Sequence, residues 1–196
     1  HIRMVRLNIV ANFIGQGWTA LMSLAFIPLY IHFMGIESYG LVGFYATLQG
    51  ALMLLDFGFS TTMNREMARF SAQPEKAPEA RDQVRTLEVI YWSIGLIILL
   101  GILAGAPLIA RYWVKADQLS VDTIWQVVMI MGVVSALQWP ISFYSGGLMG
   151  LQRQVLLNGI NATMATVRGL GAVLILWLVS PTILAFFAWQ IITSAF

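Results

Sequence analysis

Six apolar stretches, each long enough to cross a lipid bilayer, constrain the fold of this chain more than any other feature. An α-helix rises about 1.5 Å per residue and a bilayer core is about 30 Å thick, so about 20 apolar residues make one span. We place the spans at residues 8–31, 41–64, 87–110, 123–145, 155–179 and 182–196, the last one truncated. The pattern predicts an all-α polytopic membrane protein, with residues 1–196 forming one six-helix transmembrane bundle.

The composition supports a membrane protein and argues against most enzyme classes. Hydrophobic residues make up 59% of the chain and charged residues 10%, against about 25% charged residues in an average soluble protein. Cysteine is absent, which excludes disulfides, thiolate metal sites and thiol catalysis. The sequence has no P-loop, nucleophile elbow, HExxH motif or paired catalytic carboxylates. We therefore expect no enzyme, no cofactor, no metal site and no nucleic-acid partner.

The distribution of basic residues predicts the orientation in the membrane. Eight lysines and arginines fall on one side of the predicted spans and two on the other. Short loops rich in Lys and Arg remain in the cytoplasm. We therefore expect the N-terminus and the 65–86 loop to be cytoplasmic, with that loop forming a solvated helical extension and a turn. The chain begins at His1 without a methionine and stops inside an apolar run, so we also expect it to be part of a longer protein.

The second span contains the one carboxylate that lies deep within an apolar stretch, Asp56. On a helical wheel, Tyr45, Gln49, Asp56 and Ser60 fall within roughly 60° of one another. A carboxylate inside a membrane is costly and usually faces a protein interior or a wet cavity. This polar face indicates either a cavity wall or a polar contact between helices.

The first and fifth spans carry further polar faces. Arg168 lies about 13 residues into the fifth span, close to mid-bilayer by its length, and a central arginine costs at least about 2.5–3.5 kcal/mol. The side chain stays charged at any physiological pH, so it needs a carboxylate, a cluster of carbonyls or water. Two interpretations follow: an internal ion pair with Asp56, or an anion-attracting site in a wet cavity. The candidate cavity residues are Asn8, Asn12, Gln16, Gln49, Asp56, Asn158, Asn161 and Arg168.

Three stretches resemble one family of membrane transporters. They read LLDFGFSTTMNREMAR at 54–69, GLMGLQRQVLLNGINATMATVRGLGAVLILWL at 147–178 and NFIGQGWTALMSLAFIPLYIHFMGIESYGL at 12–41. These patterns resemble the polysaccharide repeat-unit flippases, the Wzx-type O-antigen translocases of the MOP superfamily. That superfamily also contains the MATE drug exporters and the lipid II flippases.

The resemblance implies a fold of two six-helix lobes around a central cavity, with this chain as the N-terminal lobe. It implies a substrate, an undecaprenyl-diphosphate-linked oligosaccharide, moved across the bacterial inner membrane for surface polysaccharide biosynthesis. Cavities of such flippases are lined by cationic and polar residues, which Arg168 and the polar stripes match, and the family motif carries its carboxylate where Asp56 stands. The resemblance also implies coupling to H⁺ or Na⁺ and contacts with polysaccharide assembly proteins, and it leaves open whether Asp56 couples an ion or is structural.

Four alternatives to this flippase remain at this point. A MATE-type drug exporter requires acidic cavity residues for cationic substrates, and Arg168 argues against it. A lipid II flippase would use the same lipid carrier. A membrane assembly protein that does not transport needs no polar stripes beyond helix contacts, and a glycan polymerase needs a sizeable outer loop, which the chain lacks.

Overall fold

The fold is all-α, as the six apolar stretches predict. The computed structural model describes residues 2–56, 58–115 and 117–195, with the side chains of residues 2–7 and of Pro74 left out of the description. No strand occurs among these residues. The helices in this part of the chain are α1 (Ile2–Met34), α2 (Ile36–Met53), α3 (Phe59–Ser71), α4 (Ala77–Leu108), α5 (Val121–Gly150), α6 (Gln154–Leu178) and α7 (Ile183–Ser194). Shorter turns occur at Leu54–Asp56, Pro74–Lys76 and Ile109–Trp113.

Five helical segments of the described chain are long and apolar enough to cross a membrane. They cover Asn8–Met34, Ile36–Asp56, Ala77–Trp113, Val121–Gly150 and Gln154–Leu178. These segments correspond to the first five predicted spans. The sixth predicted span, 182–196, corresponds to α7, which has 12 residues and is about 18 Å long at 1.5 Å per residue. The protein is therefore a multi-pass membrane bundle.

The second predicted span, 41–64, is not one continuous helix. Helix α2 ends at Met53, a 3₁₀ turn follows at Leu54–Asp56, and α3 begins at Phe59. Gly58 precedes α3 with a φ of 79° in the left-handed region, which glycine adopts at little cost because it has no Cβ. The side chain of Asp56 accepts hydrogen bonds from the backbone N–H of Ser60 at 3.3 Å and from its hydroxyl at 2.7 Å. The glycine and this local carboxylate acceptor explain why the chain turns here despite its apolar character.

Helix α3 packs on α5 through glycines. A Cβ added at Gly146 would lie 2.4 Å from the backbone oxygen of Ser60, and one at Gly150 would lie 2.2 Å from that of Asn64. Glycines four residues apart let two helix backbones approach closely within a membrane. Helix α3 presents Met63, Met67 and Phe70 to the interior. The segment that the sequence places at the membrane boundary is thus fixed against the centre of the bundle.

The core surrounds α5, and an aromatic cluster fills its middle. Tyr91 of α4 and Phe143 of α5 are fully buried, and their ring centroids lie 4.8 Å apart. Trp139 stacks on Tyr91 at 5.8 Å. Helices α4 and α5 run antiparallel, whereas α1 runs parallel to α6, with Asn12 beside Asn158 and Phe26 beside Gly169. These two groups of helices leave open space between them, where the polar residues collect.

The loops group at two ends of the bundle in the arrangement that the charge pattern predicts. At one end, the backbone of Asn64 on α3 lies against Gly150 at the end of α5. At the other end, the Glu37 carboxylate accepts hydrogen bonds from the backbone N–H of Gln118 at 3.0 and 2.9 Å. The basic 65–86 segment and Arg153 therefore share one end of the molecule, and Lys115 lies at the other.

Candidate functional site

The larger candidate site is a cavity of about 770 Å³ between α1, α4, α5, α6 and α7. Its polar lining includes Gln16 of α1, Asn158, Asn161 and Arg168 of α6, and Ser194 of α7. Among the residues that the structure describes, no carboxylate lines it. We call it the Arg168 cavity. Its walls offer one permanent cation together with amide and hydroxyl groups, which suit an anionic and hydroxylated ligand.

Arg168 lines this cavity, and its side chain is half-buried. Its Nε atom is buried and has no hydrogen-bond partner among the described residues. The ion pairs of that same part of the chain join Arg65 and Arg69 to Glu66, so Arg168 is not paired with Asp56. The backbone here is held, because the Trp189 indole N–H donates to the carbonyl of Arg168 at 3.2 Å. The helix is therefore anchored while the guanidinium keeps its donors available.

Asp56 lies in a second cavity, of about 680 Å³, which we call the Asp56 cavity. Gln49 and Ser60 line it from the same chain segment, and Gln138 and Ser142 line it from α5. The hydroxyl of the buried Tyr91 donates to the Asp56 carboxylate, in addition to the two bonds from Ser60. The carboxylate thus has several donors, as a buried charge requires.

A chain of hydrogen bonds joins the two cavities through Gln138. Its Oε1 accepts from the Tyr45 hydroxyl and from Gln49 Nε2, each at 3.2 Å, and Gln49 also donates to Tyr45. The Nε2 of Gln138 donates to the Ser194 hydroxyl at 3.0 Å. Ser194 lines the Arg168 cavity and Gln138 the Asp56 cavity. Helices α2, α5 and α7 are therefore tied together where the two cavities approach each other.

The predicted candidate residues separate into distinct groups. Gln16, Asn158, Asn161 and Arg168 share the Arg168 cavity, and Gln49 and Asp56 share the other. Asn12 instead joins α1 to α6, donating to Gln154 Oε1 at 2.8 Å and accepting from Asn158. Asn8 is half-buried on α1 and lies outside both cavities as the described residues define them.

Sequence reasoning did not select four residues that matter for these sites. Gln138 and Ser194 form the connection between the cavities, and Trp92 and Tyr144 line the Arg168 cavity. Gln138 sits in an apolar span two residues before Pro140, which was an available signal. Trp92 and Tyr144 had none, because aromatic residues near span ends are typical of the membrane interface.

The fold and the Arg168 cavity together define a multi-pass membrane protein with a cationic, amide-lined cavity between its helices. The chain belongs to the family of polysaccharide biosynthesis proteins, whose model matches residues 5–196. None of the curated proteins and none of the solved structures compared with the chain is significantly similar to it. The family supports a transporter of the flippase type that handles a lipid-linked oligosaccharide.

Proposed function

We propose that this protein is a Wzx-type flippase that moves an undecaprenyl-diphosphate-linked oligosaccharide across the bacterial inner membrane. The chain would supply the N-terminal lobe, with its N-terminus and the 65–86 segment in the cytoplasm. The coarser part of this function follows from the family. The finer part rests on the chemistry of the cavity.

The observation that carries the proposal is that Arg168 lines the larger cavity while its buried Nε has no hydrogen-bond partner among the described residues. Arg168 as a whole is half-buried. A charged donor without a partner inside a membrane protein is costly, and such costs are typical of functional positions in membrane spans. A diphosphate offers the oxygens that a guanidinium binds with two parallel hydrogen bonds. The nearby amides of Asn158 and Asn161 can bond glycan hydroxyls. The cavity would shelter the polar part of the substrate while its lipid tail stays in the bilayer.

A drug exporter of the MATE type is a weaker candidate. Cationic drugs require carboxylates in the binding cavity. The described lining of the Arg168 cavity contains a cation and no carboxylate. The carboxylate Asp56 lines the separate cavity and is occupied by Tyr91 and Ser60.

The family resemblance leads us to expect coupling to H⁺ or Na⁺. We assign this coupling to Asp56, because its carboxylate lines the second cavity. The Asp56→Asn variant tests this assignment. Asparagine keeps an oxygen acceptor for Tyr91 and Ser60 but cannot titrate. Coupling through Asp56 predicts normal abundance with lost export, and full export by Asp56→Asn would remove Asp56 from the coupling mechanism.

The experiment that tests the main proposal compares three variants of the full-length protein in a strain lacking its own copy. These are Arg168→Ala, Asp56→Ala and the double variant, with surface glycan normalised to protein abundance. We expect Arg168→Ala to insert normally and to lose export, and the double variant to stay inactive. The exposed Arg153→Ala is the matched control and should retain export. A double variant with full export would overturn the substrate-binding role and make Arg168 a structural partner of Asp56.

A further inference from the structure

We propose that Trp92 and Tyr144 form a sugar subsite in the Arg168 cavity, separate from the anion subsite at Arg168. This inference rests on the proposed function and adds an aromatic contact for the sugar rings on a wall other than the one that carries Arg168. The wall formed by α6 carries the cation and the amides Asn158 and Asn161, whereas α4 and α5 contribute the aromatic pair.

The two aromatic side chains remain accessible within the cavity. Trp92 is 47% exposed and Tyr144 is 42% exposed, and both line this space. Tryptophans that face lipid near a membrane surface form the usual aromatic belt, and Trp177, which is 67% exposed and does not line the cavity, is an example from α6. Trp92 and Tyr144 therefore differ from a belt residue because they line the cavity that also contains Arg168.

The hydroxyl of Tyr144 is held by Glu88 of α4, to which it donates. This bond uses the only proton of the phenol, so the oxygen is left as an acceptor. A sugar hydroxyl can donate to it, whereas a fully ionised phosphate has no proton to offer. Aromatic faces are electron-rich and bind the C–H faces of sugar rings, which carry no charge. Both properties favour the glycan over the diphosphate at this wall, and Glu88 acts as a positioning residue.

The two subsites lie at different depths. The same loop, residues 151–153, joins α5 to α6. Tyr144 precedes the end of α5 at Gly150 by about 9 Å of helix, and Arg168 follows the start of α6 at Gln154 by about 21 Å, at 1.5 Å per residue. A bound substrate would therefore place its diphosphate about 12 Å deeper than the sugars that contact the aromatic pair.

The test measures binding to the full-length protein with two probes. One probe is undecaprenyl diphosphate without sugar, and the other is the lipid-linked oligosaccharide extracted from the host cell's membranes. Trp92→Leu and Tyr144→Leu should each weaken binding of the oligosaccharide probe roughly two- to tenfold and leave undecaprenyl diphosphate binding unchanged. Arg168→Ala should weaken both probes. Trp177→Leu is the matched control and should bind both probes like the wild type.

Variants that retain an aromatic ring distinguish the loss of a sugar contact from misfolding of the protein. Trp92→Phe and Tyr144→Phe keep an aromatic face and should recover most of the affinity that the leucine variants lose. Equal loss for both probes, or no loss for either, in the leucine variants would overturn the sugar subsite while leaving the flippase proposal standing. A wild-type protein that binds neither probe would overturn the proposed function and the subsite together.

Discussion

The two cavities differ in the sign of the charge they contain and in the hydrogen bonds that this charge receives or makes. In the Asp56 cavity, the carboxylate receives hydrogen bonds from Tyr91 and Ser60. In the Arg168 cavity, the buried Nε has no partner among the described residues. A charged group in a protein interior costs much less free energy when hydrogen bonds satisfy it than when they do not. Asp56 thus has its hydrogen-bond donors within the fold, whereas the function proposed for Arg168 supplies its partner from a ligand.

Reversing the charge of Arg168 should have the largest effect on transport. We expect Arg168→Glu to reduce export roughly 10- to 150-fold, because hydrogen bonds to charged groups contribute about 1.5–3 kcal/mol, with repulsion of the diphosphate in addition. Arg168→Lys should keep part of the activity, since it retains the cation without the two-pronged geometry. Export normalised to abundance is the measurement, with Arg153→Glu as the control. Equal loss in both glutamate variants would mean that the cavity position has no special role.

A larger side chain in the contact between α3 and α5 should have the next largest effect. It should lower the stability of the fold near the Asp56 cavity. In Gly146→Leu the new side chain meets the backbone of Ser60, and overpacking of this kind costs about 1–3 kcal/mol or more. Thermal stability in detergent should fall. Gly101→Leu is the matched control, because no atom lies within 4 Å of a Cβ added there. A stable Gly146→Leu protein would show that α3 can detach without harm.

Removing the Asp56 carboxylate should lower stability by a smaller amount. Asp56→Leu leaves the buried Tyr91 hydroxyl without its acceptor, which costs about 1–3 kcal/mol. Adding Tyr91→Phe removes the stranded donor and should restore part of the loss. The melting temperatures of both singles and the double form a thermodynamic cycle, and strictly additive effects would contradict a direct bond. Arg168→Ala, in contrast, should melt no lower than the wild type.

Cutting the link between the cavities should have the smallest effect. Gln138→Leu removes the bonds to Tyr45, Gln49 and Ser194, and about 1 kcal/mol of net stability is expected for a typical hydrogen bond. Ser194→Ala keeps the bonds of Gln138 toward α2 and removes the one toward α7, so its melting temperature should lie between those of the leucine variant and the wild type. An unchanged melting temperature in Gln138→Leu would show that the link is not structural.

The sequence predicted the helices better than it predicted the places where they end. Apolar length alone located the first five spans, because a bilayer fixes how many residues a helix needs. The break after Asp56 was not predicted, since the wheel that grouped Tyr45, Gln49, Asp56 and Ser60 assumed an uninterrupted helix. Gly58 was visible in the sequence, but a glycine in a membrane helix usually marks close packing and not a turn.

The candidate site was predicted in part, and the misses have a common cause. A helical wheel shows which residues share a face, and Asn158, Asn161 and Arg168, which it groups, line one cavity. It does not show which helix that face meets. Asn12 pairs with Asn158 and Gln154 across two helices, and Gln138 reaches Ser194 on a third. Contacts between residues so far apart in sequence depend on tertiary packing and leave no periodic signal.

The packing of α3 on the glycines of α5 has a consequence for the order in which this protein folds while it is being synthesised. Gly146 and Gly150 follow Phe59 by many residues in the chain, so they emerge from the ribosome well after α3 does. Until then α3 has no glycine face to occupy. Its Met63, Met67 and Phe70 face lies opposite the basic Arg65 and Arg69, which is the pattern of a helix that rests in the headgroup layer. The nascent protein would therefore hold α3 flat at the membrane surface and dock it only once α5 has been inserted.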